Sequence, residues 1–322
     1  MISNSSFLSF PRKRESRYHP CENMEPNDNL DSCLRRNDIL SNPIQTLSNG
    51  VVLLDYGPMH MFISAFENGK PVVGLAEEGA HFAMKVLEDL ARFLPLLKRK
   101  SKGLEVKDAF PDVVRRTIEA TKKMEEPDLT PLAAVAGTAS DMVADFMFGK
   151  GGTKIIVDNG GDIAIRLREG EAARVGVKTE IEAKQPTYLI SIDSTMGIGG
   201  VATSGLRGRS FTKGIASAAT ILSETASISD AAATVIGNLT NVEDANIARS
   251  LAEEVYPDTD LAGEWVTTGV GELSQEKVKE ALSRGLSKAY SISQKGLIHG
   301  ALIALQGEVV WTDSLNSWLT KL

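Results

Sequence analysis

Aromatic residues make up only 6% of this 322-residue chain, and its two cysteines, Cys21 and Cys33, both fall near its start. The body therefore has no thiol chemistry and no cysteine-based metal centre. An excess of positive charge is also missing. Thirty-five basic against 42 acidic residues leave a net charge of −7, which argues against nucleic acid as a partner. No apolar run reaches the roughly 18–20 residues that a spanning helix needs, so a membrane is not expected either. The first residues carry their basic groups after the few apolar ones, with no apolar core or cleavage site of a signal peptide. A cytoplasmic protein is the expectation. Neither a phosphate-cradling G-x-x-x-x-G-K loop nor a G-x-G-x-x-G turn is present, and Thr203-Ser204-Gly205-Leu206 is not a G-x-S-x-G nucleophile elbow. The four histidines show no metal-ligand spacing.

What is present is a chain 42% hydrophobic with 28 glycines, long enough for one large core. Residues 1–48 stand apart, with six basic and six acidic residues and no lasting hydrophobic period. The stretch from Ser9 to Arg17, followed by Asp31 to Asp38, resembles the translation of a bacterial intergenic repeat. Residues 1–48 are expected to be a disordered or spurious extension, and 49–322 a single domain. A basic targeting arm at Arg12 to Arg17 is the alternative, though nearby acids neutralise it. Pairing of Cys21 with Cys33 as a redox switch is a further one.

In the body, 51–56 and 60–66 read as strands around the Gly57-Pro58 turn, with 71–75 as a third. Helices follow at 77–98, at 111–124 behind Pro111, and at 131–148. From Lys154 the period changes to strands, at 155–157, 163–167, 173–177, 187–192, 200–203 and 215–222. A helix carrying Asp230, amphipathic helices at 246–255 and 275–286, and a hairpin of 297–305 with 309–311 complete the chain. Helices grouped between runs of antiparallel strands imply an α+β fold. Two rounds of strands and helices raise the question of a duplicated unit, which side-chain identity does not answer.

Four segments have the composition of a site. Ser229-Asp230-Ala-Ala-Ala-Thr234 stacks a carboxylate and a hydroxyl one helical turn apart, a pattern that suits Mg2+ shared with phosphate. The helix amino terminus beside them adds N–H groups for an anion. An N-capped, alanine-rich core helix is the competing reading. Pro131 to Asp141 is rich in small residues that allow close approach of backbone or ligand. Asp141 lies deep in that helix, where a cap or an ion pair competes with a chemical role. Asp158-Asn159-Gly160-Gly161-Asp162 reads as a turn with bare N–H groups or as a plain hairpin. Thr203-Ser204-Gly205 precedes Arg207, Arg209, Ser210, Thr212 and Lys213, which suit phosphate or form a solvated basic loop.

In this order, Ala133-Ala-Val-Ala-Gly137, Asn159-Gly-Gly-Asp162, Thr203-Ser-Gly205 and Asp230-Ala-Ala-Ala-Thr234 resemble the ApbE superfamily, whose best-known members are FAD:protein FMN transferases. The likeness covers roughly residues 50–310 and is closest to an uncharacterised cytosolic branch sharing Gly57-Pro58-Met59-His60. The resemblance implies a T-fold-like α+β architecture binding FAD with Mg2+ at its pyrophosphate. Asp230 and Thr234 would be the metal ligands. Asn159, Gly160, Gly161, Asp162, Thr203, Ser204 and Gly205 would line the flavin site, and Arg207, Arg209 and Asp141 are the catalytic candidates. Two departures stand out. The transferase helix motif Gly-x-x-x-Lys-Gly has no lysine here, and a shorter basic loop, Arg207 to Gly214, replaces the His-x-x-x-Pro-x-Thr-Gly segment. The expected ligand is a flavin or another phosphorylated small molecule, and the implied activity is FMN transfer to an acceptor protein or FAD pyrophosphate cleavage. A non-enzymatic flavin or anion binder and an accessory subunit are the alternatives. The sequence is compatible with a homodimer without deciding it.

Overall fold

A computed structural model describes residues 42–180 and 182–322. The readings of Arg12 to Arg17 and of Cys21 with Cys33 lie outside the described residues. Strands β1 (Ile44–Thr46), β2 (Val52–Tyr56), β3 (Met59–Glu67) and the short β4 (Lys70–Pro71) open the fold. They are followed by helices α1 (Val73–Arg92), α2 (Asp112–Lys123) and α3 (Val135–Gly149). Strands β5 (Lys154–Asn159) and β6 (Ile163–Leu167) return to the sheet, and β7 (Ala172–Val177) and β8 (Tyr188–Asp193) form a hairpin beyond it. Next come β9 (Gly200–Ser204), β10 (Ala218–Ser223), α4 (Ala226–Leu239), β11 (Ile247–Leu251), β12 (Trp265–Val270) and α5 (Gln275–Gln294). Strands β13 (Gly300–Leu305), β14 (Glu308–Trp311) and β15 (Leu319–Lys321) close the chain.

Ten strands form one sheet in the order β1-β2-β3-β5-β6-β9-β10-β13-β14, with β4 attached to β3. That order answers the question of duplication. A hairpin (β2-β3), helices and a second hairpin (β5-β6) are repeated as β9-β10, helices and β13-β14, and the two units join where β6 pairs with β9. Alternation along the strands sets the layers. Ile155 and Val157 face a core shared with α1 and α3, whereas Ile156 faces the small sheet β15-β8-β7. In the second unit Ala219 and Ile221 meet α4 and α5, while Leu222 meets the small sheet. Fully buried side chains such as Met61, Ile63, Ile155 and Ile221 each contribute about 1.5–3 kcal/mol.

The helices follow their periodicity. Ala76, Ala80, Ala83, Val86, Leu87 and Leu90 give α1 one buried stripe. Pro111 precedes the first residue of α2, where its missing N–H costs nothing. Thr225 caps α4 by accepting from Ile228 N at 3.4 Å, and Ser274 caps α5 from Lys277 N at 3.3 Å.

Several expectations need correction. The strand expected at 71–75 is only Lys70–Pro71, because the chain enters α1 at Val73. The helix expected at 246–255 is β11 followed by a single helical turn, Ala252–Val255. Its partner β12 was not anticipated, and a register shift at Ala248/Arg249 accompanies their pairing. The last long helix continues past 286 to Gln294. The sheet also begins before residue 49, since Ile44, Gln45 and Thr46 of β1 pair with Leu54, Leu53 and Val52. Among the described residues, no helix is long and apolar enough to cross a membrane.

Candidate functional site

The two units meet most closely where α3 crosses α4, and Gly137 is the reason they can. A β-carbon at residue 137 would lie 2.3 Å from the carbonyl oxygen of Ala226 and 2.8 Å from Cβ of Asp230. At this crossing each helix presents an aspartate from its second turn to the first turn of the other. Gly137 N donates to Asp230 Oδ2 at 2.9 Å, and Ala136 N donates to the same carboxylate. In return Ala226 N donates to Asp141 Oδ1 at 3.0 Å, and Ser227 N to Asp141 Oδ2 at 2.8 Å. Each carboxylate thereby satisfies donors that a helix start leaves unpaired.

This reciprocal arrangement changes two readings. The N–H groups opening α4 are not free for an anion, because Asp141 and the Thr225 hydroxyl already occupy those of Ala226, Ser227 and Ile228. Asp230 lies in the second turn of α4, not at its start. Asp141, a catalytic candidate from the sequence, is 1% exposed and accepts in addition from Arg166 Nη2 at 2.9 Å. Both its oxygens are engaged in holding α4, so it is placed as a cap and an ion-pair partner.

The two carboxylates differ in one respect. Asp141 has a guanidinium beside it. Burial works against the charge of Arg166, but Asp141 and Asp145 outweigh it and hold the guanidinium more firmly protonated than usual. Among the described residues no lysine or arginine forms an ion pair with Asp230. Burial first, then the charge of Asp162 with a smaller push from Asp141, raises the Asp230 carboxyl well above the usual carboxylate range. The N–H groups of Gly137 and Ala136 offset part of that rise. Asp230 is nonetheless only half-buried, as is Thr234 one turn further along the same face.

The other predicted segments reach the same corner through the sheet. Strand β5 pairs with β3 up to Met61 opposite Asn159, so the Gly57-Pro58 turn and the Gly160-Gly161 turn lie side by side. Gly160 and Gly161 have φ of 72° and 105°, a conformation that disfavours any side chain, and Asp158 Oδ1 accepts from Gly161 N at 2.7 Å. Asn159 is 4% exposed; its Nδ2 donates weakly to the Ala136 carbonyl at 3.4 Å, and its Oδ1 has no hydrogen-bond partner. The main-chain oxygen of Asp162 accepts from Ser140 Oγ at 2.8 Å, tying the turn to α3. Strand β9 lies next to β6, with Val201 opposite Ile163, and carries Thr203 and Ser204 onward beneath α4. Thr203 Oγ1 is 2.9 Å from Thr220 Oγ1, and Gly205 lets the chain pass the Ser217 carbonyl, which a β-carbon would approach to 2.4 Å.

The basic loop divides. Lys213 pairs with Asp128 and, at 2.9 Å, with Glu264, and Arg207 pairs with Glu182 at the surface. Arg209 pairs with no carboxylate among the described residues. Its guanidinium lies over the Gly160 turn, with Nη1 donating to the Pro58 carbonyl at 3.4 Å. The structure thus brings Arg209, Asn159 to Asp162, Asp230 and Thr234 to one corner, with Thr203 to Gly205 adjoining, and turns Arg207 away. Two hollows lie elsewhere. One of about 140 Å³, lined by Leu206, Arg207 and Ser217, is beyond Gly205, and one of about 410 Å³, lined by Val72, Gly74 and Lys150, is at the start of α1. Sequence reasoning missed Arg166, although an arginine inside the apolar run Ile163-Ala-Ile-Arg-Leu167 was a signal that it needs a buried partner. Among the described residues no group of three or more His, Cys, Asp or Glu is arranged to hold a metal ion.

Fold and site together define an α+β protein of two fused hairpin–helix–hairpin units with an acidic corner at their seam. The family model described as AbpE bacteria matches residues 44–311, and the chain belongs to that family, an ApbE-like group. The resemblance carried by the four sequence segments is thereby borne out. A UPF0280 protein of Methanosarcina barkeri is 34% identical over 168 residues, which cover 52% of this chain and 64% of the relative. A UPF0280 protein of Methanosarcina acetivorans is 35% identical over 164 residues, covering 51% and 62%. The chain thus spans less than two thirds of the length of these relatives. Among solved structures, the apo flavinyl transferase ApbE of Pseudomonas stutzeri aligns with a TM-score of 0.49 at 12% identity, covering 88% of this chain and 100% of that one. The ApbE protein of Thermotoga maritima aligns with a TM-score of 0.44 at 15% identity, covering 85% and 97%.

Proposed function

We propose that the corner at the α3–α4 crossing binds Mg2+ through Asp230 and Thr234, together with FAD or a related phosphorylated ligand. The observation that carries this reading is the asymmetry of the two crossed carboxylates. Asp141 has Arg166 as its cation, whereas Asp230 has Asp162 as an electrostatic neighbour and a hydroxyl one turn away. A cation supplied from solution would neutralise Asp230 as Arg166 neutralises Asp141. The donor set fits a hard divalent ion, because a carboxylate and a hydroxyl are oxygen ligands, and Mg2+ commonly completes its shell with water and substrate phosphate. Bound there, Mg2+ would supply charge neutralisation to a pyrophosphate.

The chain's own residues have separable tasks in this scheme. Gly137 and Ala136 orient the Asp230 carboxylate through their N–H groups. Gly160 and Gly161 let a ligand approach the main chain closely, and Arg209 above them offers a guanidinium to a phosphate. Thr203, Ser204 and Gly205 border the same ligand. The activity we assign is transfer of FMN from FAD to an acceptor hydroxyl, or cleavage of the pyrophosphate by water. In either case a P–O bond forms to the incoming oxygen, the P–O bond to AMP breaks, and the hydroxyl or water proton is released to solvent. An acceptor protein and a cytoplasmic setting belong to the same proposal, as does a single domain whose first strand, β1, lies before residue 49. A non-enzymatic flavin or anion binder is the second reading, favoured by the pairing of Lys213 and Arg207 with carboxylates, which leaves one cation over the turn. Incubation with FAD and Mg2+, followed by chromatography, separates the readings. AMP release that Asp230→Ala abolishes supports the enzyme, binding without AMP supports the binder, and neither result refutes both.

A further inference from the structure

The ion pair that holds Asp141 reaches well beyond the crossing. Arg166 Nη2 donates to Asp141 Oδ1 at 2.9 Å, Nε to Asp145 Oδ1 at 2.8 Å, and Nη1 to the carbonyls of Gly199 at 2.9 Å and Ile165 at 3.0 Å. Asp145 in turn accepts from Arg116 Nη1 at 2.6 Å, and Arg116 Nε pairs with Asp112 at 2.8 Å. One guanidinium thus fastens α3 to β6 and to the segment entering β9. Through Asp141 it also holds the first two N–H groups of α4. Space around this anchor is tight, since a β-carbon on Gly199 would meet the Glu224 carbonyl at 2.2 Å, immediately ahead of the α4 cap.

From this geometry we infer that Arg166, acting through Asp141, is a positioning residue that sets α4 so that Asp230 and Thr234 are correctly placed for a divalent cation. The ring of contacts is closed. Gly137 N holds Asp230, α4 links Asp230 back to Ala226, Ala226 N holds Asp141, and α3 links Asp141 back to Gly137. Asp230 is one turn from the amides that Asp141 grips, a rise of about 6 Å. Any tilt or rotation at the start of α4 is therefore passed to its carboxylate. Arg166 touches neither Asp230 nor a ligand; its task is orientation. Groups that orient metal ligands typically alter affinity 10–100-fold when replaced. The inference rests on the reading of Asp230 as a cation ligand and adds the device that positions it.

Titration of the full chain with Mn2+, followed by electron paramagnetic resonance of the free ion and by Mg2+ competition, tests it. Arg166→Lys keeps a positive charge beside Asp141 but cannot span Asp141, Asp145 and the Gly199 carbonyl together. Asp141→Asn keeps one acceptor oxygen for α4. Both are expected to weaken Mn2+ binding at least tenfold while circular dichroism shows a folded protein. Arg249→Lys serves as a control for general destabilisation. Its half-buried guanidinium donates to the Val242 carbonyl at 2.8 Å, remote from the corner, and its loss should lower the melting temperature without changing Mn2+ affinity. Wild-type affinity retained in both Arg166→Lys and Asp141→Asn would overturn the inference and leave the proposed function standing. Absence of Mn2+ binding by the wild type would overturn the cation reading of Asp230, and the inference with it.

Discussion

Asp141→Ala is expected to be the most damaging single change at the seam. The carboxylate is 1% exposed and accepts from Arg166, Ala226 N and Ser227 N. Its removal leaves a buried guanidinium with one carboxylate partner fewer, and breaking a buried pair costs about 3–5 kcal/mol. Arg166 retains Asp145 and two carbonyls, which argues for the lower end of that range. Two helix-start N–H groups are orphaned as well, at about 1–3 kcal/mol each when buried, though these terms overlap and do not add in full. A loss of about 4 kcal/mol is the reasoned sum, a large part of the roughly 5–15 kcal/mol that keeps a protein folded. Urea denaturation followed by circular dichroism measures it. Asp141→Asn should cost less, because one oxygen still accepts, although its amide nitrogen then faces either Ser227 N–H or the guanidinium, donor against donor. A loss below about 1 kcal/mol for Asp141→Ala would refute the account of the crossing.

Gly137→Ala should destabilise despite alanine's helix preference of about 1 kcal/mol, because its β-carbon would press on the main chain of Ala226, and it should abolish any Mg2+-induced rise in melting temperature. Arg207→Gly should stabilise by about 1 kcal/mol in urea denaturation, since φ at Arg207 is 62° and its ion pair with Glu182 is exposed on both sides. Burial raises the Asp128 carboxyl, but the hydrogen bond and charge of Lys213 outweigh it, so its folded value is lowered. A lowered carboxylate contributes stability above its unfolded value of about 3.9 and loses it as pH falls through the folded value. The melting-temperature gap between wild type and Lys213→Met should therefore be wide at neutral pH and narrow on acidification below about pH 4.

The parts of this architecture that were legible in the sequence are those with a local signature. Small residues before Asp141 marked a helix that approaches another closely, and Gly160-Gly161 marked a turn that only glycines make easily. What was misread depends on partners far along the chain. Ile247 and Leu251, four apart, read as a helical face, yet pairing with Trp265–Val270 across the intervening loop makes them a strand. The run Ser223-Glu-Thr-Ala-Ser-Ile-Ser229 offers several capping hydroxyls, and only the fold selects Thr225, which moves Asp230 into the second turn. The Asp141–Arg166 contact joins residues 25 positions apart, and no spacing rule relates a helix to a strand in that way. Likewise, the basic loop looked like one cluster because sequence does not show that Asp128 and Glu264 reach Lys213.

The central claim is that Asp230 holds a cation that in turn holds a flavin dinucleotide. Its most direct test is FAD binding by the full chain, followed by fluorescence anisotropy with and without Mg2+, in wild type and Asp230→Asn. The account predicts Mg2+-dependent binding in the wild type that Asp230→Asn weakens at least tenfold. Binding indifferent to Mg2+ and to Asp230→Asn would contradict it.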